Sequence, residues 1–332
     1  MTRPLSPRTE RSASRAGIIA GFAAIYLFWG GTFLALRYAV MEVPPLLTIA
    51  IRCIGGALIL YGWLFWKGAV EQAGRRQWLT SAAAGVFFFL GCHGALAWTE
   101  QRVSSGQAAL YLTSTSLWLV VLAAVRERRP PRGQVIAGLL LGVLGVAVLV
   151  SGKSTAGSVS DRLVLIATGL SWAIGSLIAR DGPRPTSAIQ STAMQLAAGG
   201  VAVLAVSLLT GELAAWSAQQ VTSRGAGSLV FLVLAGTVVG FGAYTWLLQV
   251  TTPAVVGTYS FINPVVALAL AWAVGDEALS GRTALAAAIV LGAVFLIWKS
   301  SATKPKLYRP KPSPLRVSPS ALRTLAHMRA LL

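Results

Sequence analysis

Ten stretches of about twenty mostly apolar residues constrain this chain more than any other feature. At roughly 1.5 Å of rise per residue, each can cross the roughly 30 Å of a bilayer's hydrocarbon as a helix. They run from Gly17 to Leu36, Pro45 to Trp66, Trp78 to Trp98, Gln107 to Val125, Gln134 to Val150, Leu163 to Ala179, Thr192 to Leu209, Leu229 to Leu248, Ala254 to Val274 and Ala284 to Trp298. Lipid offers no partner to an exposed backbone group, so the expected fold is an all-α polytopic membrane protein of ten transmembrane helices. Only 11% of the residues are charged and 55% are hydrophobic, where a soluble domain carries about 25% charged residues. A water-soluble globule is therefore excluded. The first stretch is too long for a signal-peptide core and lacks a cleavage site, so it is expected to stay in place.

The net charge of +18 would suggest nucleic acid if it covered a folded surface. It lies instead in tails and in short breaks between spans, where Lys and Arg fix topology and meet anionic lipid of the inner leaflet; no specific nucleic-acid partner is expected. With the N-terminus inside, twenty-one of the 28 basic residues face the cytosol. Arg37, Arg102, Lys153, Arg162, Arg224 and Arg282 face outward, and Arg52 lies within a span. That bias predicts a multi-pass protein of the cytoplasmic (inner) membrane with both termini cytoplasmic. Residues 1–16 form a basic, Ser-rich tail expected to be disordered. Residues 302–332 form a basic, Pro-rich tail whose Leu322, Leu325, Met328 and Leu332 suit either a helix on the inner leaflet or a frayed end. Cys53 and Cys92 fall inside apolar runs and read as buried free thiols. Metal-ligand spacing is absent, and no cofactor is expected.

The two halves of the chain resemble each other. Leu27 to Arg37 aligns with Leu170 to Arg180, with Leu, Trp, Leu and Arg identical. Gly94, Ala95, Trp98 and Gln101 recur as Gly242, Ala243, Trp246 and Gln249; Glu127 recurs as Glu277, and Leu141-Gly142 as Leu291-Gly292. Residues 17–152 and 160–301 thus form two units of five spans each. An odd number of spans makes the second unit cross in the opposite sense, an inverted repeat of the kind from which alternating-access carriers are built.

Several motifs carry a resemblance: Trp29-Gly30-Gly31 in the first span, Pro44-Pro45 with Arg52 in the second, and Gly94 through Gln101 ending the third. Gly106 through Leu110 opens the fourth, Glu127 and Glu277 end the fourth and ninth, and Gly257 through Val265 lies in the ninth. Over about residues 17–300 the chain resembles the EamA-type transporters of the drug/metabolite transporter superfamily. The resemblance implies an exporter or facilitator of small metabolites, amino acids or drugs. The family's usual proline in span four is replaced here by Ser114, the repeat-mate of Pro264.

Polar side chains are costly in hydrocarbon, so those at mid-depth mark candidate substrate contacts. Span four carries Tyr111, Thr113, Ser114, Thr115 and Ser116, and span nine carries Thr258, Tyr259, Ser260 and Asn263; both clusters are expected near the midplane, although the hydroxyls would also serve as bonds between helices. Pro264 cannot donate to Ser260 and is expected to break span nine there. Trp29 and Trp172 lie about twelve residues into their spans, too deep for an interface belt, and suit a cavity wall or core packing, with Tyr244 beside them. Trp66, Trp78, Trp98, Trp246 and Trp298 suit the interface. Arg52 needs a partner, either Glu100 or a set of helix-end carbonyls, and would anchor spans two and three or attract a substrate carboxylate. His93 would carry a proton or hydrogen-bond a neighbouring span. Gly138 with Gly142 and Gly236 with Gly240 permit close helix approach within the chain, and spans five and ten offer a homodimer contact as the alternative.

The function expected from these features is secondary transport of a small amphipathic or zwitterionic organic solute by alternating access. The alternatives are a membrane-embedded enzyme, which would need a nucleophile with a base or a metal set, and a channel, which would need a charged ring or carbonyl filter; neither constellation is visible.

Overall fold

The computed structural model describes residues 14–103, 108, 111–150, 158–214, 216–274 and 281–301, and these contain helices and no strand. Helix α1 is Arg15–Val40, and α2 is Pro45–Trp66. Helix α3 comprises Arg75–Gly85, a π-helical segment Val86–Gly94, and Ala95–Glu100. Helices α4 (Ser114–Glu127), α5 (Gly133–Val150), α6 (Val159–Asp181) and α7 (Ala188–Leu209) follow. Helix α8 again has three parts: Ser223–Phe231, the π-helical Leu232–Phe241, and Gly242–Val250. Helix α9 is Pro253–Gly257 and Tyr259–Val274, and α10 is Gly281–Ser301. Six of these, α1, α2, α3, α6, α7 and α8, are long and apolar enough to cross a membrane; α5 and α10 contain shorter apolar stretches. The tails at residues 1–13 and 302–332, Gly106, Gln107, Ala109, Leu110, Lys153 and Glu277 lie outside the described residues.

Most helix starts are set by local side chains. Ser14, Ser187, Thr222 and Thr252 each accept from the backbone N–H three residues on, and Ser158 with Asp161 forms a capping box, meeting donors that have no partner in the first turn. Helix α2 starts on Pro44-Pro45 and has no such cap. Its N–H groups at Leu46 and Leu47 donate instead to Glu212, from the loop after α7, at 3.3 and 3.0 Å. The arrangement is reciprocal: Glu71, from the loop after α2, accepts from Thr186 and Ser187 at the head of α7, at 2.8 and 3.0 Å. A carboxylate at a helix N-terminus is favoured by the helix dipole as well as by the bonds. Because each helix begins beside the loop that follows the other's end, α2 and α7 run antiparallel.

Helices α5 and α10 also pack antiparallel. Arg132 before α5 donates to the Ser300 carbonyl at the end of α10. Gly138 faces Ile297 and Gly145 faces Val290, close enough that a Cβ would sit 2.6 and 2.8 Å from those side chains. Gly142, the predicted companion of Gly138, faces α9 instead, where a Cβ would sit 2.9 Å from the Phe261 ring, and Gly145 takes its place against α10. Gly236 and Gly240 in α8 likewise lie against Thr32 and Trp29 of α1.

Two predicted features differ in detail. Helix α9 runs through Pro264, and its interruption falls at Thr258. A proline removes one hydrogen bond, which packing against α1 tolerates: a Cβ on Gly30 would lie 2.4 Å from Val266 and 3.5 Å from the Asn263 carbonyl. Span four is interrupted at Thr113, a turn between Leu112 and α4. Of the tryptophans assigned to the interface, Trp66, Trp78 and Trp98 are exposed, whereas Trp246 packs on Gly17 and Gly21 and Trp298 lies edge-on to Phe22.

Candidate functional site

A cavity of about 80 Å³ lies where α1, α2, α3, α6 and α9 meet, with room for several water molecules. Helix α1 contributes Trp29, Thr32, Phe33 and Leu36; α2 contributes Arg52, and α3 contributes Cys92, His93 and Leu96. Trp172 of α6, Leu112, and Tyr259, Ser260, Asn263 and Pro264 of α9 complete the lining.

One wall is aromatic. Trp29 stands edge-on to Trp172 at 5.6 Å and to Tyr259 at 4.9 Å between ring centres, the geometry that ring quadrupoles favour. Tyr244 lies behind this wall, fully buried, and is not part of the lining. Its hydroxyl accepts from Trp172 Nε1 at 2.7 Å and pairs with Ser176 Oγ at 2.6 Å. Trp29 Nε1 donates to the Gly236 carbonyl at 2.8 Å. Both indole N–H groups are thus engaged away from the cavity, which fixes the rings and leaves carbon surface facing it.

The polar groups come from the other elements. Arg52 is 4% exposed. Its Nε donates to Thr237 Oγ1 at 3.0 Å, and that hydroxyl in turn donates to the Leu232 carbonyl at 2.8 Å. No ion pair to Arg52 occurs among the described residues, and the Glu100 side chain lies outside them. Gly236 leaves room for the guanidinium, since a Cβ there would approach Nη2 to 3.6 Å. His93 is tied through Nδ1 to the Phe88 carbonyl at 3.0 Å, stacked on Phe89 and edge-on to Trp172. Asn263 is 4% exposed, and its Oδ1 has no hydrogen-bond partner.

The π-helical segments position much of this. Their wider turns leave carbonyls for side chains five residues on in the same helix and for side chains of neighbouring helices. Phe87 accepts from Ser171 Oγ at 2.8 Å, and Phe88, Leu232 and Gly236 serve His93, Thr237 and Trp29. Thr237 and the two wide segments were missed from sequence; the only signal was the glycine density of spans three and eight.

Of the sequence candidates, Trp29, Arg52, His93, Trp172, Tyr259, Asn263 and Pro264 share the cavity. Tyr111 lies apart, half-buried against Leu96, Val103, Ala108 and Leu165. Thr113 is buried at the turn before α4, and Ser114 lies against Gly169 of α6. The polar clusters of spans four and nine do meet, at Ser116: its hydroxyl donates to the Gly257 carbonyl and pairs with Ser260 Oγ. That contact is a bond between helices at the edge of the cavity. Thr32, Phe33, Leu36, Cys92, Leu96 and Leu112 line the cavity without having been singled out, because such residues are common in any apolar span. Both cysteines are free and buried.

A family model described as the EamA-like transporter family matches residues 15–151 and again residues 162–299. The chain belongs to the EamA-like transporter family. Two EamA-like relatives share most of its length. An uncharacterised inner membrane transporter of Escherichia coli K12, YedA, is 27% identical over 276 residues, 82% of this chain and 88% of that protein. A probable amino-acid metabolite efflux pump of Salmonella typhimurium is 26% identical over 294 residues, covering 83% of this chain and 93% of its own. One crystal structure superposes on this EamA-like chain with a TM-score of 0.72 at 19% identity, over 87% of this chain and 98% of the other; that likeness is one of fold alone.

Proposed function

We propose that this EamA-like protein is a secondary transporter, an exporter or facilitator that moves a small organic solute across the cytoplasmic membrane by alternating access. The observation that carries this reading is the cavity: a pocket between helices of both halves, aromatic on one wall and polar on the other, as solute sites in helical membrane proteins are. The two matches of one family model to successive halves support two five-helix units. Antiparallel pairing of α2 with α7 and of α5 with α10, repeat-mates by sequence, supports units of opposite sense. Trp29 and Trp172, also repeat-mates, touch at the centre, where a two-fold axis between the units would pass. Both termini would face the cytosol, as the distribution of basic residues requires.

The decisive measurement is solute flux in proteoliposomes across a metabolite panel, with and without a proton gradient. Trp29→Ala and Asn263→Ala are expected to abolish flux while leaving normal amounts of folded protein in the membrane. Wild-type flux in both variants overturns the assignment of the site.

A further inference from the structure

The loop between α4 and α5, residues 128–132, holds cations that no carboxylate answers. Arg126 at the end of α4 pairs with Asp181 at 3.3 Å, and Glu127 pairs with Arg180 at 3.8 Å, which ties the helix end to α6. Arg132 donates to the Ser300 carbonyl, which ties the loop to the end of α10 beside the exposed Lys299. Between these ties Arg128 and Arg129 are exposed, and neither side chain has an ion pair or a hydrogen bond among the described residues. The backbone beneath them is held. Arg128 lies in the left-handed region at φ 51°, the Arg129 N–H donates to the Ala124 carbonyl at 3.1 Å, and Pro130-Pro131 follows. Glycine fills this position at many helix ends, because it has no Cβ to strain; here the position carries a guanidinium instead.

The surfaces that run away from the loop are apolar. Val121 and Val125 on α4, and Ile136, Leu140 and Leu144 on α5, are exposed. Helix α4 packs on α6 and α5 packs on α10, with little contact between α4 and α5 themselves, which leaves an apolar cleft leading from the arginines along both helices. Fixed cations at the mouth of an aliphatic cleft match an anionic phospholipid: its phosphate oxygens accept from the guanidinium forks, and its acyl chains cover the valines and leucines. The chain's own tail supplies no counter-charge, since residues 302–332 carry basic residues from Lys304 to Arg329 and no acid.

We propose that Arg128 and Arg129 form a headgroup seat for one anionic phospholipid, whose acyl chains lie in the cleft between α4 and α5. The seat is independent of the solute that the protein carries. Full-length protein in detergent is titrated with palmitoyl-oleoyl phosphatidylglycerol, or with phosphatidylcholine of the same chains, and bound lipid is counted by native mass spectrometry. The first phosphatidylglycerol is expected to bind about ten-fold or more tightly than the first phosphatidylcholine. Arg128→Gly combined with Arg129→Gln should remove that preference. Glycine suits the left-handed turn, so this variant is expected to melt no lower than wild type, and its loss of lipid is not a loss of fold. Arg129→Gln alone, which leaves the turn as it is, should weaken phosphatidylglycerol by about three-fold or more. Arg75→Gln combined with Arg76→Gln removes the same charge at the head of α3 and should keep the preference. An excess of inorganic phosphate should leave the lipid in place, because it has no chains for the cleft. The seat is overturned if phosphatidylglycerol binds no more tightly than phosphatidylcholine, if Arg129→Gln changes nothing, if the two double variants weaken it alike, or if phosphate alone displaces it.

Discussion

Tyr244 shows how a residue outside the cavity shapes it. Its hydroxyl is the acceptor for the Trp172 indole N–H, and it is joined on its other side by Ser176. Removing that oxygen leaves the N–H of a buried tryptophan without a partner, at a cost of about 1–2 kcal/mol. Tyr244→Phe is therefore expected to lower the melting temperature of the detergent-solubilised protein and to shift the Trp172 emission; an unchanged melt would show that the hydroxyl does not hold the ring. Counting along the spans pointed to a cavity wall for Trp29 and Trp172, which do line it, and marked Arg52 as a cation in need of a partner. Which residue that partner is was not legible. Thr237 lies 185 residues away in sequence, and nothing in either segment says that α2 and α8 meet. The hydroxyls of span four were read as a group, yet a helix turns about 100° per residue. Ser116 therefore meets α9 while Ser114 faces α6 and Tyr111 packs against the end of α3.

Among the elements, the crossing of α3 and α7 depends on two glycines set backbone to backbone. A Cβ on Gly85 would lie 2.3 Å from the Gln195 carbonyl oxygen, and one on Gly199 would lie 2.6 Å from the Gly85 carbonyl oxygen. Neither neighbour is the tip of a flexible side chain, so the helices themselves must part. Gly85→Ala is expected to cost about 1–3 kcal/mol through overpacking and to reduce the yield of monodisperse protein in fluorescence-detected size exclusion. Gly62→Ala, where nothing lies within 4 Å, is expected to behave as wild type; equal behaviour of the two variants would rule out a tight crossing. Apolar length located the six helices that are long and apolar enough to cross a membrane, because the need to satisfy backbone groups in lipid leaves helices little alternative. It located their ends less well. Helices α3 and α8 begin at Arg75 and Ser223, ahead of the apolar runs, since a capped helix continues into the interface. The wide turns within them were not legible, because apolar periodicity does not distinguish a π-helical stretch from an α-helical one. Nor was the exchange of caps between Glu71 and Glu212, each of which reads from sequence as an ordinary loop acid.

For the molecule as a whole, alternating access requires that one mouth of the cavity be closed while the other is open. The lining includes Leu36 and Leu96, near the ends of α1 and α3, ends that face outside in the topology proposed from the charge bias. Deeper in, Trp29, Trp172, Tyr244 and Phe241 close the path, with Phe241 packed on Phe88 at 5.1 Å. Helix α6 is tied at both ends: Asp161 to Arg102 at 2.9 Å at its start, and Asp181 to Arg126 at 3.3 Å at its end. A rocking motion would load one tie as it releases the other. On the proposed topology and carrier cycle this cavity lies nearer the outer side, an outward-facing arrangement, and the two native thiols can report on it without added probes. Cys92 lines the cavity, whereas Cys53 is fully buried where α2 crosses α7 at Gly200. Cys92 is itself buried in this arrangement, so in right-side-out vesicles a small membrane-impermeant thiol reagent is expected to label it only as fast as the cavity opens and to spare Cys53, with Cys92→Ser abolishing the signal. A bound solute should slow the reaction, since it would occupy the same space. Inside-out vesicles should label slowly until solute drives the carrier to its other state. Equal labelling from the two sides at the outset, or labelling of Cys53 in place of Cys92, would contradict both the outward-facing assignment and the motion built on it.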